Sequence, residues 1–236
     1  MAEHPAPVPL ADRLALVFGA GNVGPALLAL AEVEAEILAS ARRGIDHGVA
    51  HARLEWWRGE IGRLAAGEPR HPAACRLLAA GGRAPDYALL GEFVANAEMT
   101  VVGYAPEGEP ELLAHLDRGH GTRETVRAQL LSGSRDAELG PWARALGRGL
   151  GLVAALATHD AAVLEAVRAE RLAALAREAL ATALALPASA QPHQVHGLVR
   201  ARLALATLER AGAEPSALRQ WWLAWRTARR ARGSVP

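Results

Sequence analysis

The sequence predicts an all-α protein that folds as a single-domain helical bundle over residues 1–236. Ala and Leu dominate the chain together with Arg and Glu, whereas Val and Ile are sparse and Phe and Tyr occur only twice each. These are strong helix formers in a sequence poor in strand formers. After an irregular, Pro-containing tail at residues 1–9, apolar residues recur three and four positions apart almost throughout, which is the period of an α-helix.

Gly and Pro residues divide this periodic sequence into its predicted helices. Pro25 suits the first turn of a helix that runs to about Arg43, and Gly67 ends a second helix over roughly 46–66. By the same signals, further helices are predicted over about 71–80, 85–102, 111–131, 138–158, 162–186, 194–211 and 215–231. This gives eight or nine helices and no persuasive strand.

Charge and cysteine content exclude several functional classes. The 26 basic residues are all Arg, the 25 acidic residues nearly balance them, and the net charge of +1 argues against a nucleic-acid partner. Cys75 is the only cysteine, so no intrachain disulfide can form, and the start of the chain lacks a secretion signal. No stretch of 18 apolar residues predicts a transmembrane segment. We therefore expect a cytoplasmic protein, with contact at the inner-membrane surface as a further possibility.

A glycine-rich segment, Gly19-Ala-Gly-Asn-Val-Gly24, has the spacing of a dinucleotide-binding loop and follows the strand-like residues 14–18. Such a loop requires a second strand and an acidic residue after the helix, and helical spacing continues there instead. The sequence favours a turn between helices, in which Gly supplies a positive φ angle.

Two polar patterns are candidate metal sites. Asp46, His47, His51 and Glu55 include residues four apart, which share a helical face, but they do not match a known metal-binding pattern and suit a solvated surface. Glu32 and Glu36 also share a face, and paired carboxylates can hold Mg²⁺ against phosphates. The alternative for Glu32 and Glu36 is an ordinary helix surface. No metal site is assigned.

Tryptophan marks two segments of the chain. Trp56 and Trp57 lie in tandem between Arg53 and Arg58, and adjacent Trp residues on a helix must serve two different surfaces. A second cluster, with Trp residues 221, 222 and 225 beside several Arg, lies within residues 215–232. That helix either packs its Trp residues onto the protein, which the sequence analysis favours, or rests on anionic lipid.

With the helices laid out, three segments resemble the squalene/phytoene synthase family of all-helical prenyltransferases. Pro25–Ile37 resembles the second helix of that family, and Arg53–Glu60 with the turn at 67–72 resembles its Trp-Trp-Arg helix. Residues 215–226 resemble its closing Trp-rich helix, so the resemblance extends over nearly the whole chain.

The resemblance also implies what this chain lacks. Active members hold Mg²⁺ with two Asp-rich motifs, and the positions similar to the first fall at about Leu38, Ala39 and Arg42. Those similar to the second fall within Ala154–Asp160, where Ala154, Ala157 and Thr158 replace the expected polar residues. In this respect the chain is similar to the branch of the family that includes a mitochondrial complex I assembly factor.

The sequence therefore predicts a protein without prenyltransferase activity that acts as a binding or assembly partner, with an apolar cavity for an isoprenoid or lipid. Its weak candidate ligand-binding residues are Glu32, Glu36, Arg53, Trp56, Trp57 and Arg58, and no catalytic residue is assigned. No cofactor is expected. The alternative is an active transferase of the carotenoid or squalene type that condenses isoprenoid diphosphates, with Glu32 and Glu36 holding Mg²⁺ in place of the missing aspartates.

Overall fold

A computed structural model describes residues 9–42, 44–135, 139–185, 194–210 and 213–233, and these residues form α-helices joined by short turns. The helices are α1 (Leu10–Gly19), α2 (Gly24–Ser40), α3 (His47–Ala66), α4 (Pro72–Gly81), α5 (Leu90–Val101), α6 (Glu109–Leu116), α7 (Thr122–Ser132), α8 (Leu139–Thr158), α9 (Ala161–Ala166), α10 (Ala169–Leu184), α11 (Val195–Leu208) and α12 (Ala217–Gly233). The prediction of an all-α fold is confirmed. Within the described ranges, no helix combines the length and the apolarity needed to cross a membrane.

Several helix boundaries follow the predicted signals. Asp46 caps α3 by accepting a hydrogen bond from the Val49 amide, and Gly67 ends the helix in the left-handed conformation at φ 84°. Pro72 opens α4, as expected for a residue without an amide proton. The glycine-rich segment at 19–24 forms a short 3₁₀ turn between α1 and α2, with Gly21 at φ 55°. This is the predicted turn between helices.

The strand-like residues 14–18 lie within α1, as a turn between helices at 19–24 requires. Two predicted helices differ from the structure. The helix predicted over 162–186 is two helices, α9 and α10, because Val167 adopts an extended conformation with φ −144° and ψ 130°. Five residues of the segment predicted as one helix over 111–131, Asp117–Gly121, form a π-helical turn between α6 and α7.

The apolar core has three main parts. The first lies among α2, α3, α4, α5 and α7, the second mainly among α6, α8, α10 and α11, and the third among α1, α11 and α12. Glycines permit close helix contacts in the second part. A Cβ atom at Gly147 would collide with the His120 backbone, and one at Gly151 would press on the His120 ring. Helix α8 therefore lies directly against the π-helical turn.

Candidate functional site

A surface pocket of about 570 Å³ lies between α2 and α3 and contains four of the six predicted ligand-binding residues. Its walls carry Ala39, Val49 and Ala52, the two Trp residues of α3 and the polar residues Glu36, Ser40 and Arg53. The volume falls in the usual range for small-molecule sites, and an apolar wall beside a few polar groups is the usual composition of one. We call this the α2–α3 pocket.

The tandem Trp residues serve the two different surfaces that the sequence predicts. Trp57 is buried, with 3% of its surface exposed, whereas Trp56 is 45% exposed at the pocket. Both rings contact the ring of His71, at centroid distances of 4.8 Å for Trp57 and 5.7 Å for Trp56. Trp57 therefore braces α3 against the following turn, and Trp56 is the ring available to a ligand.

A carboxylate that the sequence analysis did not single out fixes that turn. Glu60 is fully buried and accepts hydrogen bonds from the backbone amides of Arg70 and His71, at 2.6 and 2.7 Å, and from Arg63. Burial by itself raises the pKa of Glu60, but these donors outweigh burial and lower the pKa below its usual value. Glu60 thus holds His71 against the Trp pair.

The remaining two predicted ligand-binding residues lie outside the pocket lining. Arg58 forms ion pairs with Glu55 and, at 2.5 Å, with Glu98 of α5. Glu32 accepts two hydrogen bonds from Arg76 of α4, at 3.0 and 2.6 Å. Glu32 and Glu36 are both exposed, and Glu32 is already paired with a cation.

The candidate metal face of α3 has other roles. Asp46 is the helix cap, and the Nε2 atom of His47 lies 2.7 Å from the carbonyl oxygen of Val101. Among the described residues, no group of three His, Cys, Asp or Glu side chains is arranged to hold a metal ion.

A largely buried network of charges lies among α1, α2, the π-helical turn, α7 and α11. Three carboxylates face three guanidinium groups, and two His rings lie beside them; we call this set the charge cluster. Its members are Asp12, Glu34, His120, Arg123, Glu124, Arg127, His196 and Arg200.

Each carboxylate of the charge cluster is paired with a guanidinium group. Arg127 donates to both oxygens of Glu34, at 2.7 and 2.8 Å, and also to Glu124. Arg200 donates to Glu124 at 2.5 Å and to Asp12 at 2.9 Å. Each carboxylate oxygen pair therefore already has a guanidinium partner, which is the arrangement that a buried charge requires.

Burial and charge shift the titration of this cluster strongly. Burial alone raises the pKa of Glu124, yet the guanidinium groups of Arg127 and Arg200 dominate together and lower it to about 2. Burial, assisted by the same two Arg residues, lowers the pKa of His196 to about 3. At neutral pH, the carboxylate is therefore ionised and the imidazole is neutral.

One donor of the cluster has no partner. The Nε atom of Arg123 is buried and makes no hydrogen bond, although its guanidinium lies over the Phe93 ring and donates to the Nδ1 atom of His120 at 2.7 Å. A cavity of about 270 Å³ lies beside the cluster and is lined in part by Arg123, His196 and Leu27. This volume is small for a prenyl diphosphate, because ligand sites usually span 300–1,000 Å³.

Glu34, the residue of α2 that belongs to the charge cluster, was not predicted from the sequence. Leu27, Leu30, Glu34 and Ile37 follow one another at intervals of three, four and three residues, and all four are buried. That spacing places Glu34 in the apolar stripe, whereas Glu32 and Glu36 flank it. A carboxylate at a position that belongs to the apolar face of a helix indicates a buried partner on another helix, and the sequence contained this pattern.

The fold belongs to the class of all-α isoprenoid synthase bundles, and one solved structure makes this explicit. A crystal structure of a dehydrosqualene synthase in complex with ligand superimposes with a TM-score of 0.70, covering 94% of this chain and 92% of that chain, at 13% sequence identity. At this identity the likeness defines the fold alone. No protein-family model matches the sequence, and no curated protein matches it.

The residues present do not fit the Mg²⁺ that the family resemblance implies. Leu38 and Ala39 of α2, and Ala154 and Ala157 of α8, supply no oxygen ligand from their side chains. The hydroxyl of Thr158 donates to the carbonyl oxygen of Ala154 at 2.9 Å.

Asp160, the only acidic residue near the second of these positions, caps α9 by accepting from the amides of Ala162 and Val163. The inward-facing carboxylates of the charge cluster are engaged by guanidinium groups. No step through Mg²⁺ can be derived from these residues.

Proposed function

We propose that this chain is a non-catalytic member of the fold class that binds a ligand or a protein partner, and that it has no prenyltransferase activity. The charge cluster carries this proposal. Ionising an allylic diphosphate requires carboxylate-held cations to neutralise the leaving group. The interior carboxylates Glu34 and Glu124 instead neutralise Arg127 and Arg200.

The α2–α3 pocket supports a binding role. Trp56 offers an exposed aromatic face, and Arg53 supplies a cation at the same opening. An apolar surface beside a guanidinium suits a ligand that has a hydrocarbon chain and an anionic head group. An isoprenoid diphosphate or a related lipid is the ligand class that we propose for this pocket.

Activity and binding are tested separately. The protein is incubated with farnesyl or geranylgeranyl diphosphate and Mg²⁺, and pyrophosphate release is measured. We expect no release above the protein-free blank. Turnover that Glu36→Ala abolishes would contradict the proposal and favour the alternative, in which Glu36 and Glu32 hold Mg²⁺.

The binding experiment compares the affinity of the protein for farnesyl diphosphate with its affinity for farnesol, which lacks the anionic group. Trp56→Ala should weaken binding of both by about tenfold, because truncating an aromatic contact residue typically costs more than 1 kcal/mol. Arg53→Gln should weaken binding of the diphosphate only. Val102→Ala, at the end of α5, is the control, because Val102 is 56% exposed and lies outside the pocket lining.

Identical affinities in the wild type and both pocket variants would remove the pocket from the proposal. A role in assembly would then have to rest on another surface. Co-purification of the tagged full chain from its source cells, identified by mass spectrometry, tests that role directly.

A further inference from the structure

Helix α12 packs against the protein through small residues, and its Trp residues face outward. Ala224, Ala228, Ala231 and Gln220 are buried, and the three alanines pack with residues of α1 and α11. Trp221 is 47% exposed, Trp222 44% and Trp225 36%. The prediction that the Trp side of this helix packs onto the protein is therefore wrong.

The physical reason for this error lies in the spacing. Leu218, Trp221, Trp222 and Trp225 stand at positions i, i+3, i+4 and i+7, which share one face of a helix. The alanines occupy an adjacent side of the helix, where their small side chains let α12 approach its neighbours closely. The Trp residues were expected not to form one clean apolar face, whereas the helix presents them together, with Leu218 78% exposed.

The charged residues of α12 itself all have one sign. From residue 217 to residue 233, the helix contains five Arg and no acidic residue. Arg226 stacks over the Trp222 ring at 4.9 Å, and Arg229 over the Trp225 ring at 5.3 Å. These stacked cations lie beside the aromatic face, so a partner that contacts the rings also meets the positive charge.

A cleft of about 210 Å³ runs between α11 and α12 beside Trp222. Four guanidinium groups line it, together with the single carboxylate of Glu209. The basic residues of the cleft are Arg202, Arg219, Arg226 and Arg230. A cleft of this size and charge suits an anionic head group.

We propose that the outer face of α12 binds the surface of a membrane that contains anionic phospholipid. Trp rings are amphipathic and favour the boundary between head groups and acyl chains, while Arg attracts anionic lipid, so the two residue types together define an interfacial helix. The helix lies on the bilayer surface, with Leu218 and the Trp rings toward the acyl chains and the α11–α12 cleft toward a lipid phosphate. This inference is independent of the α2–α3 pocket and of its ligand.

Co-sedimentation of the full chain with vesicles tests the proposal. The protein should bind vesicles made of equal parts phosphatidylcholine and phosphatidylglycerol. It should bind vesicles of phosphatidylcholine alone much more weakly. Binding should weaken as salt is raised, because surface charge is screened. Arg219→Gln together with Arg226→Gln should lower the partition coefficient by about 30-fold, given the typical contribution of an Arg near an anionic surface.

Matched variants separate the helix from the rest of the surface. Trp222→Ala with Trp225→Ala should abolish the quenching of Trp fluorescence by brominated acyl chains. Val102→Ala, at a position that is 56% exposed at the end of α5, removes apolar surface elsewhere and should leave the quenching unchanged, and Arg177→Gln, on the exposed side of α10, is the charge control. Circular dichroism and the thermal midpoint of each variant establish that it is folded.

Four outcomes would overturn the proposal. Absence of binding to the anionic vesicles is the first, and equal binding by the α12 variants and their controls is the second. The third is displacement of the protein from the vesicles by inorganic phosphate at a concentration equal to that of the lipid phosphate, which would define a free-anion site. A dimer that the α12 variants dissociate, measured by analytical ultracentrifugation, would assign the face to a second copy of the chain and would also overturn it.

Discussion

Removing one guanidinium from the charge cluster should destabilise the protein far more than removing one from its surface. We choose Arg127→Met, which keeps the length of the side chain and leaves Glu34 and Glu124 without their shared partner. Arg127 makes three hydrogen bonds to these two buried carboxylates. Breaking a buried ion pair by removing one partner costs about 3–5 kcal/mol, because an uncompensated charge remains inside the protein.

The control is an ion pair with the same chemistry and a different environment. Arg76 and Glu32 lie 2.6 Å apart with side chains that are 58% and 49% exposed, whereas those of Arg127 and Glu34 are 10% and 9% exposed. Arg76→Met should therefore cost less than about 1 kcal/mol. Both values are decreases in the free energy of unfolding relative to the wild type, measured by urea unfolding with far-ultraviolet circular dichroism.

A double-mutant cycle with Glu34→Gln completes the test. Removing both members of the pair keeps the formal charge of the cluster balanced, so the double variant should be more stable than the sum of the two single changes predicts, by about 1–3 kcal/mol. If Arg127→Met costs no more than Arg76→Met, or if the cycle is additive, the charges are not held in the buried arrangement described here.

Three further predictions concern stability. The free energy of unfolding should fall as the pH drops below about 6.5, because His196 has a pKa of about 3 when folded, against an ordinary value of 6.5, and the unfolded chain takes up the proton first. His196→Asn should flatten that dependence by about 1.4 kcal/mol per pH unit between about pH 6 and pH 4, measured by urea unfolding. Glu60→Gln should cost about 1–3 kcal/mol, since two backbone amides lose a charged acceptor, and it should increase protease cleavage in the turn at 67–72. Trp57→Ala should lower stability by about 3–5 kcal/mol, whereas Trp56→Ala, at an exposed position, should change it by less than about 1 kcal/mol; similar values for the two would contradict the division of roles within the pair.

The sequence predicts the helices well where Gly, Pro and capping residues mark their ends. Helix α3 is the clearest case, with Asp46 at its start and Gly67 at its end. The break at Val167 carries neither Gly nor Pro, so local signals predict one continuous helix there. Packing of α9 and α10 against different neighbours decides that boundary, and such contacts are absent from a local pattern.

The α2–α3 pocket could be anticipated in part, because the Trp pair and Glu36 lie on helices that follow each other along the chain. The charge cluster could not, because it joins residues from Asp12 to Arg200 that are remote in sequence. Periodicity identifies Glu34 as buried, yet it does not identify Arg127 as the partner. The outward face of α12 was available from spacing alone, and the prediction was wrong because the three Trp residues were held not to form one clean apolar face.

The glycine contacts between α8 and the π-helical turn also restrict what engineering could achieve. Gly147 and Gly151 let two backbones meet where side chains would otherwise keep them apart. Introducing aspartates at Ala154 and Thr158 would place carboxylates on the exposed side of α8, whereas its glycine side lies against the π-helical turn. Room for a substrate on the glycine side would require side chains that separate α8 from this turn, at the expense of the contacts that now hold them together. Adding metal ligands to this helix and adding internal volume beside it are therefore two separate engineering problems.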